Sequence, residues 1–96
     1  MKLLAIVCGA GLDDEVIEIL KSSGARGYTH LENCTGEGRT GPHMDTAVWP
    51  GQHHIVLSCV EEGIVPGVVE RIRETCAAYQ LAPPCRVFAW DADMLL

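Results

Sequence analysis

Aromatic residues are scarce in this chain: its 96 positions hold two tryptophans, two tyrosines and one phenylalanine, although 48% of the residues are hydrophobic. The core must therefore be aliphatic. Basic residues are also few, 7 against 13 acidic ones for a formal net charge of -6, and they form no run. A duplex-DNA or RNA partner is excluded on that ground, because neutralising a phosphate backbone needs clustered Lys and Arg. No stretch reaches the roughly 18 apolar residues of a membrane span. The apolar run after Met1-Lys2 is short and is followed at once by Asp13-Asp14-Glu15, so it reads as a strand of a cytoplasmic protein rather than a leader. There is no CxxC. Cys8, Cys34, Cys59, Cys76 and Cys85 are odd in number and widely spaced, which argues against a disulfide framework and against a zinc ribbon. Cys8, Cys59 and Cys76 lie in apolar patterns and read as small buried hydrophobes. Cys34 and Cys85 border loops and are the two to consider as reactive.

What is present alternates between two periods. "KLLAIVC" (Lys2 to Cys8) is an apolar run of strand length. "DDEVIEILKSSG" then places Val16, Ile17 and Leu20 on one helical face, with Asp13 as N-cap, acids in the first turn and Gly24 at the C-terminal end. "GYTHLENC" (Gly27 to Cys34) reads as a second strand and "HHIVLSCV" (His53 to Val60) as a third. Pro66 suits the first turn of a second helix, along which Val65, Val68 or Val69, Ile72, Cys76 and Tyr79 recur at helical spacing. "CRVFAW" (Cys85 to Trp90) is a fourth strand. The order βαββαβ predicts an α+β, ferredoxin-like domain over residues 1–96, with one four-stranded antiparallel sheet and two helices on one face.

Two features exceed that frame. The first strand is apolar on both sides, Leu3, Ala5 and Val7 on one and Leu4, Ile6 and Cys8 on the other, and the third is nearly as two-sided. Two helices cover one face only, and a solvated face should alternate with polar residues. The uncovered face predicts an oligomer of this same chain. The other feature is "CTGEGRTGPHMDTAVWPG", Cys34 to Gly51, which has neither period and reads as a long loop. Connections this long tend to be functional.

The segment "GARGYTHLENCTGEGRTG", Gly24 to Gly41, resembles the P-II signalling superfamily. There a helix ends, a second strand carries Gly-x-x-Gly-x-Thr (here Gly24, Gly27 and Thr29), and Gly-x-Gly-Arg (Gly36, Gly38, Arg39) opens the T-loop. The resemblance continues loosely through "HHIVLSCVEEGIVPGVVERI". It implies a homotrimer with inward-facing sheets, a cytoplasmic regulator rather than an enzyme, and an adenine nucleotide bound between subunits. The T-loop would touch a protein partner such as a transporter or an enzyme. The chain also departs from the family. The loop has no tyrosine to modify, Thr40 stands where Gln follows the arginine, and "YQLAPPC" lacks the Gly/Lys-rich turn that wraps phosphates.

Candidate roles follow. Thr29, Gly36, Gly38 and Arg39 would hold a nucleotide or other anion, since glycines admit backbone N–H groups and arginine adds a charged fork. Cys34, His43, Met44, His53 and His54 are the residues that could meet around Zn, Cu or Ni, with Cys34, His43 and His53 the foremost candidate ligands; adjacent His53 and His54 point to opposite faces if extended. His43, Met44 and Trp49 are the candidate docking residues of loop 34–51, Trp49 alternatively pinning the loop to the body. The sequence thus predicts a ligand-responsive regulatory protein, with a metal-binding protein of the same fold as the alternative. A small enzyme is a further alternative, for which Cys34 with His43 or His30 is the best offer; no P-loop or paired-carboxylate pattern is present.

Overall fold

The computed structural model describes residues 1–9, 11–38, 41–43, 53–81 and 83–96, with 36–38 and 41–43 described by their backbone. In chain order the elements are β1 (Lys2–Gly9), α1 (Leu12–Ser22), β2 (Thr29–Cys34), β3 (Gly36–Gly38), β4 (Gly41–His43), β5 (His53–Val60), a 3-10 turn (Glu62–Ile64), α2 (Val65–Ala77) and β6 (Cys85–Asp91). The four long strands form one antiparallel sheet in the order β2-β5-β1-β6. The first strand is central. β5 runs beside it with Ile6 opposite Val56 and Cys8 opposite His54, and β6 lies on its other side with Ala5 opposite Phe88. This is the ferredoxin-like arrangement expected of the βαββαβ order.

Alternation along the strands decides what each face does. Leu4, Ile6 and Cys8 of β1 and Val56 and Val60 of β5 point to the helix-covered side and are buried. There they join Leu12, Val16, Ile17, Ile19 and Leu20 of α1 and Val68 and Ile72 of α2 in one aliphatic cluster. Each fully buried side chain of this type contributes about 1.5–3 kcal/mol from burial. On the opposite face Leu3, Ala5, Val7, Ile55, Leu57 and Cys59 are only half-buried, and at its margins Leu31, Phe88 and Trp90 are 42%, 54% and 48% exposed. No helix of the described chain covers this face.

The end of α1 follows from Gly24, which sits at φ 99°, a conformation that costs other L-residues about 1–2 kcal/mol. That turn lets the Ala25 N–H donate to Leu20 O at 3.0 Å and the Gly24 N–H to Lys21 O at 3.3 Å, the pair of bonds that closes a helix in a Schellman motif. Arg71 of α2 then clamps this end. Its Nη1 donates to Ser22 Oγ at 2.6 Å and to Ser23 Oγ at 3.1 Å, so the two helices are tied where the first one stops.

Four sequence expectations change. Of the cysteines read as buried, only Cys8 is: Cys59 is half-buried on the face that no helix of the described residues covers, and Cys76 is half-buried against the edge of the core. Asp13 is not the N-cap: Gly11 is, without a side-chain cap, and Asp13 lies inside the first turn, buried. Tyr79 does not reach the core. It is 41% exposed and its hydroxyl donates to Glu15 Oε2 at 3.1 Å, bridging back to α1. Finally, the 34–51 segment is not without regular structure, because β3 and β4 pair as a short antiparallel hairpin with Gly36 opposite His43 and Gly38 opposite Gly41. Short strands rich in glycine and proline carry no alternation to read, which is why the hairpin is invisible to a pattern search.

Candidate functional site

Three polar side chains meet on the helix-covered side of the sheet. Asp13 comes from the first turn of α1, His30 from β2 and His54 from β5. The alternation of β5 turns His54 inward among Val56, Ser58 and Val60. His30 stands opposite Val56 on the edge strand and so on the same side. Asp13 and His54 are buried, and His30 is partly so. His30 Nε2 lies 2.8 Å from Asp13 Oδ2, within hydrogen-bond distance. His54 Nδ1 lies 3.2 Å from the same oxygen but makes no hydrogen bond, and is a buried polar atom left unsatisfied. The other carboxylate oxygen, Oδ1, accepts the Gly11 N–H at 3.1 Å. On the outer side of His30, Nδ1 is 3.5 Å from Glu32 Oε1. The three inward donor atoms, Asp13 Oδ2, His30 Nε2 and His54 Nδ1, all fall within 4.8 Å of one another.

The electrostatics match the geometry. Burial alone would raise the Asp13 carboxyl. The His30 hydrogen bond, the His54 ring and the Gly11 N–H outweigh it and hold the group below the usual carboxylate range. Cys8, opposite His54 in the β1–β5 register, behaves in the contrary way. Burial first, then Cys85 and Asp13, push its thiol up to about 12, so it stays neutral beside the cluster.

The residues singled out from sequence fall elsewhere. Thr29 opens β2, exposed and opposite Leu57. It lines a groove of ≈ 500 Å³ with Arg26, Gly27 and Met94. Gly36 and Gly38 lie in β3. Cys34 ends β2 in register with His53, the first residue of β5, after a bulge that holds Asn33 at φ 60°. His43 ends β4. The fold thus brings Cys34 and His53 onto neighbouring strands, while Arg39, Met44 and Trp49 lie outside the described residues. Sequence reasoning named His54 as a possible ligand but grouped it with the loop residues, and so missed its cluster with Asp13 and His30, as it missed the cation Arg26 in the Thr29 groove. Spacing carries no sign of the cluster, because its members come from three elements. The one available signal was two polar residues, His30 and His54, at positions that strand alternation assigns to the inner face.

Solved structures share this architecture. One is CPII, a nitrogen regulatory PII-like protein from Thiomonas intermedia K12, bound to ADP, AMP and bicarbonate; it is 20% identical, with a TM-score of 0.70 over 93% of this chain and 84% of that one. The same protein bound to ADP, AMP and acetate matches with a TM-score of 0.69 over 97% and 88%. A PII-like signaling protein from Thermus thermophilus is 24% identical, with a TM-score of 0.67 over 93% and 83%. At these identities the likeness establishes the fold. No curated protein matches the chain in sequence. The family model for nitrogen regulatory protein P-II, however, matches residues 1–93, which is nearly the whole sequence and includes both strands that flank the loop, and the chain therefore belongs to the P-II family.

Proposed function

We propose that this protein is a cytoplasmic, ligand-responsive regulator that binds an adenine nucleotide or a related anion at the root of its 34–51 loop and passes the bound state to a protein partner. The observation that carries the reading is the placement of the glycine pair. β3, with Gly36 and Gly38, follows β2 after a single residue and pairs with β4, so closely approachable backbone comes directly after the edge strand in the chain. Arg39 follows at once, and Thr29 and Arg26 share the groove at the start of β2. Membership of the P-II family supports regulation over catalysis. The ADP, AMP and bicarbonate bound to the similar Thiomonas protein support the ligand class.

The working unit in this reading is a homotrimer, with the uncovered apolar sheet face turned inward, and His43, Met44 and Trp49 present the loop to a partner such as a transporter or an enzyme. The anion site is a weak one, since the "YQLAPPC" segment offers no lysine and no glycine. Affinity in the micromolar range corresponds to about -8 kcal/mol. A bound anion can shift the loop only by its differential affinity for the loop's conformations. Isothermal calorimetry against AMP, ADP, ATP and bicarbonate should give saturable binding by the wild type, weakened at least about tenfold in Arg39→Ala, as expected for loss of a charged hydrogen-bonding partner. Absence of heat with every member of the panel would remove the reading.

A further inference from the structure

The Asp13–His30–His54 cluster is hard to explain as a hydrogen-bond network alone. One carboxylate oxygen, Asp13 Oδ2, faces two imidazole nitrogens, at 2.8 Å and 3.2 Å, and satisfies only the first. The second, His54 Nδ1, is buried and unpaired. An orphaned buried polar group costs about 1–3 kcal/mol, and such groups in native proteins call for a reason. His30 adds a second difficulty. A neutral imidazole carries one proton, and this ring has a carboxylate on each side, Asp13 at Nε2 and Glu32 at Nδ1.

A cation resolves both difficulties. We propose that Asp13 Oδ2, His30 Nε2 and His54 Nδ1 form the binding site of a borderline divalent transition-metal ion of the Zn(II) type. Two imidazoles and one carboxylate are the donors such ions prefer. A tetrahedral ion with bonds of about 2.0–2.1 Å sets neighbouring donors roughly 3.3 Å apart. The three atoms, all within 4.8 Å of one another, reach that spacing by side-chain adjustment without moving a strand. Metal on His30 Nε2 obliges the ring proton to sit on Nδ1, where Glu32 Oε1 lies at 3.5 Å to receive it. Metal on Asp13 Oδ2 leaves Oδ1 to the Gly11 N–H, which it already accepts. Both ligands thus have the outer partners that fix orientation in metal sites. Partly exposed His30 gives the ion a way in, and three protein donors leave one position for water or an exogenous ligand. These residues are distinct from Thr29, Gly36, Gly38 and Arg39, so the proposal does not depend on the nucleotide reading.

The test uses tag-free, chelator-stripped full-length protein, titrated with Zn(II) in competition with a chromophoric chelator, and with Co(II) read by its visible d–d spectrum. The expected result is one ion per chain, an intense Co(II) band of tetrahedral type, and a Zn(II)-dependent rise in melting temperature. Glu32→Gln, at an exposed position, should weaken Zn(II) binding about 10–100-fold through the His30 ring alone, and His30→Gln and Asp13→Asn should weaken it further. The double variant Cys34→Ala/His43→Ala should bind as the wild type does. Circular dichroism establishes that each variant is folded, and Glu32→Gln keeps the test decisive should a buried substitution fail to fold. No Zn(II) binding by the wild type, or wild-type binding by Glu32→Gln together with His30→Gln, would overturn the site and leave a buried hydrogen-bond cluster. Nucleotide calorimetry on the same variants reads the other site separately.

Discussion

At the scale of single residues, the cysteines show how far environment overrides chemical type. Cys85 borders a loop, and the sequence alone marks it as one of two thiols to consider as reactive. In the fold it is half-buried at the start of β6. Burial first, and then neighbouring Cys76, push its thiol up to about 11, against a smaller opposing pull from Arg86. Only the thiolate attacks. Near pH 8 its ionised fraction is on the order of 100-fold below that of an ordinary cysteine with a pKa of about 8.5. The thiolate of higher pKa is also the better nucleophile, which offsets part of that loss, so iodoacetamide followed by peptide mass mapping should label Cys85 at least about tenfold more slowly in the native protein than in urea. The native rate should keep climbing about tenfold per pH unit well past pH 9, where the unfolded thiol has levelled off. Equal native and denatured rates at pH 8 would mean that the burial described here is absent.

At the scale of elements, helix ends are more legible than helix beginnings. Gly24 announces the end of α1, because a positive-φ residue after an apolar helical stripe has one dominant explanation. Gly24→Ala should cost about 1–2 kcal/mol through the strained backbone alone, seen as a shift of the urea midpoint with an unchanged slope. Asp13 misleads for a physical reason. A short acid before an apolar stripe is the usual mark of an N-cap, and nothing local reveals that β2 and β5 will deliver two histidines to it. Alternation gives close strand bounds for β1, β5 and β6, where the apolar pattern is continuous. β2 begins two residues later than Gly27, as expected of an edge strand paired on one side only. The β3–β4 hairpin stays hidden because glycine and proline give alternation nothing to act on. The family's loop residues can be placed by motif, but a motif gives order along the chain and not distance across it. That is why the pairing of Cys34 with His53 is legible only in the fold.

At the scale of the molecule, the proposed assembly rests on the sheet face that no helix of the described residues covers. Leu57 lies near its middle, opposite Ala5 on one side and Thr29 on the other. An assembly that closes on this face buries Leu57 in every copy, and a charge there would be desolvated without a partner. Size exclusion coupled to light scattering should return three chains per particle for the wild type and one for Leu57→Glu. A wild-type monomer at micromolar concentration would contradict the trimer directly. No helix of the described residues is long and apolar enough to cross a membrane. The apolar strands are thus accounted for by the core on one side and, in the proposed assembly, by sister chains on the other.

The central place of β1 has a consequence for synthesis. Its two neighbours are β5, which starts at His53, and β6, which starts at Cys85. β1 leaves the ribosome before either of them, and its two hydrogen-bonding edges wait unpaired, one until β5 and the other until β6 has been made. Contacts this distant along the chain make for slow closure, and an unpaired apolar strand is a template for association with other chains. A nascent chain stalled before residue 85 would still expose one edge of β1, a vulnerability that vanishes only when β6 docks and the Lys2 amine reaches Asp91 at 2.7 Å.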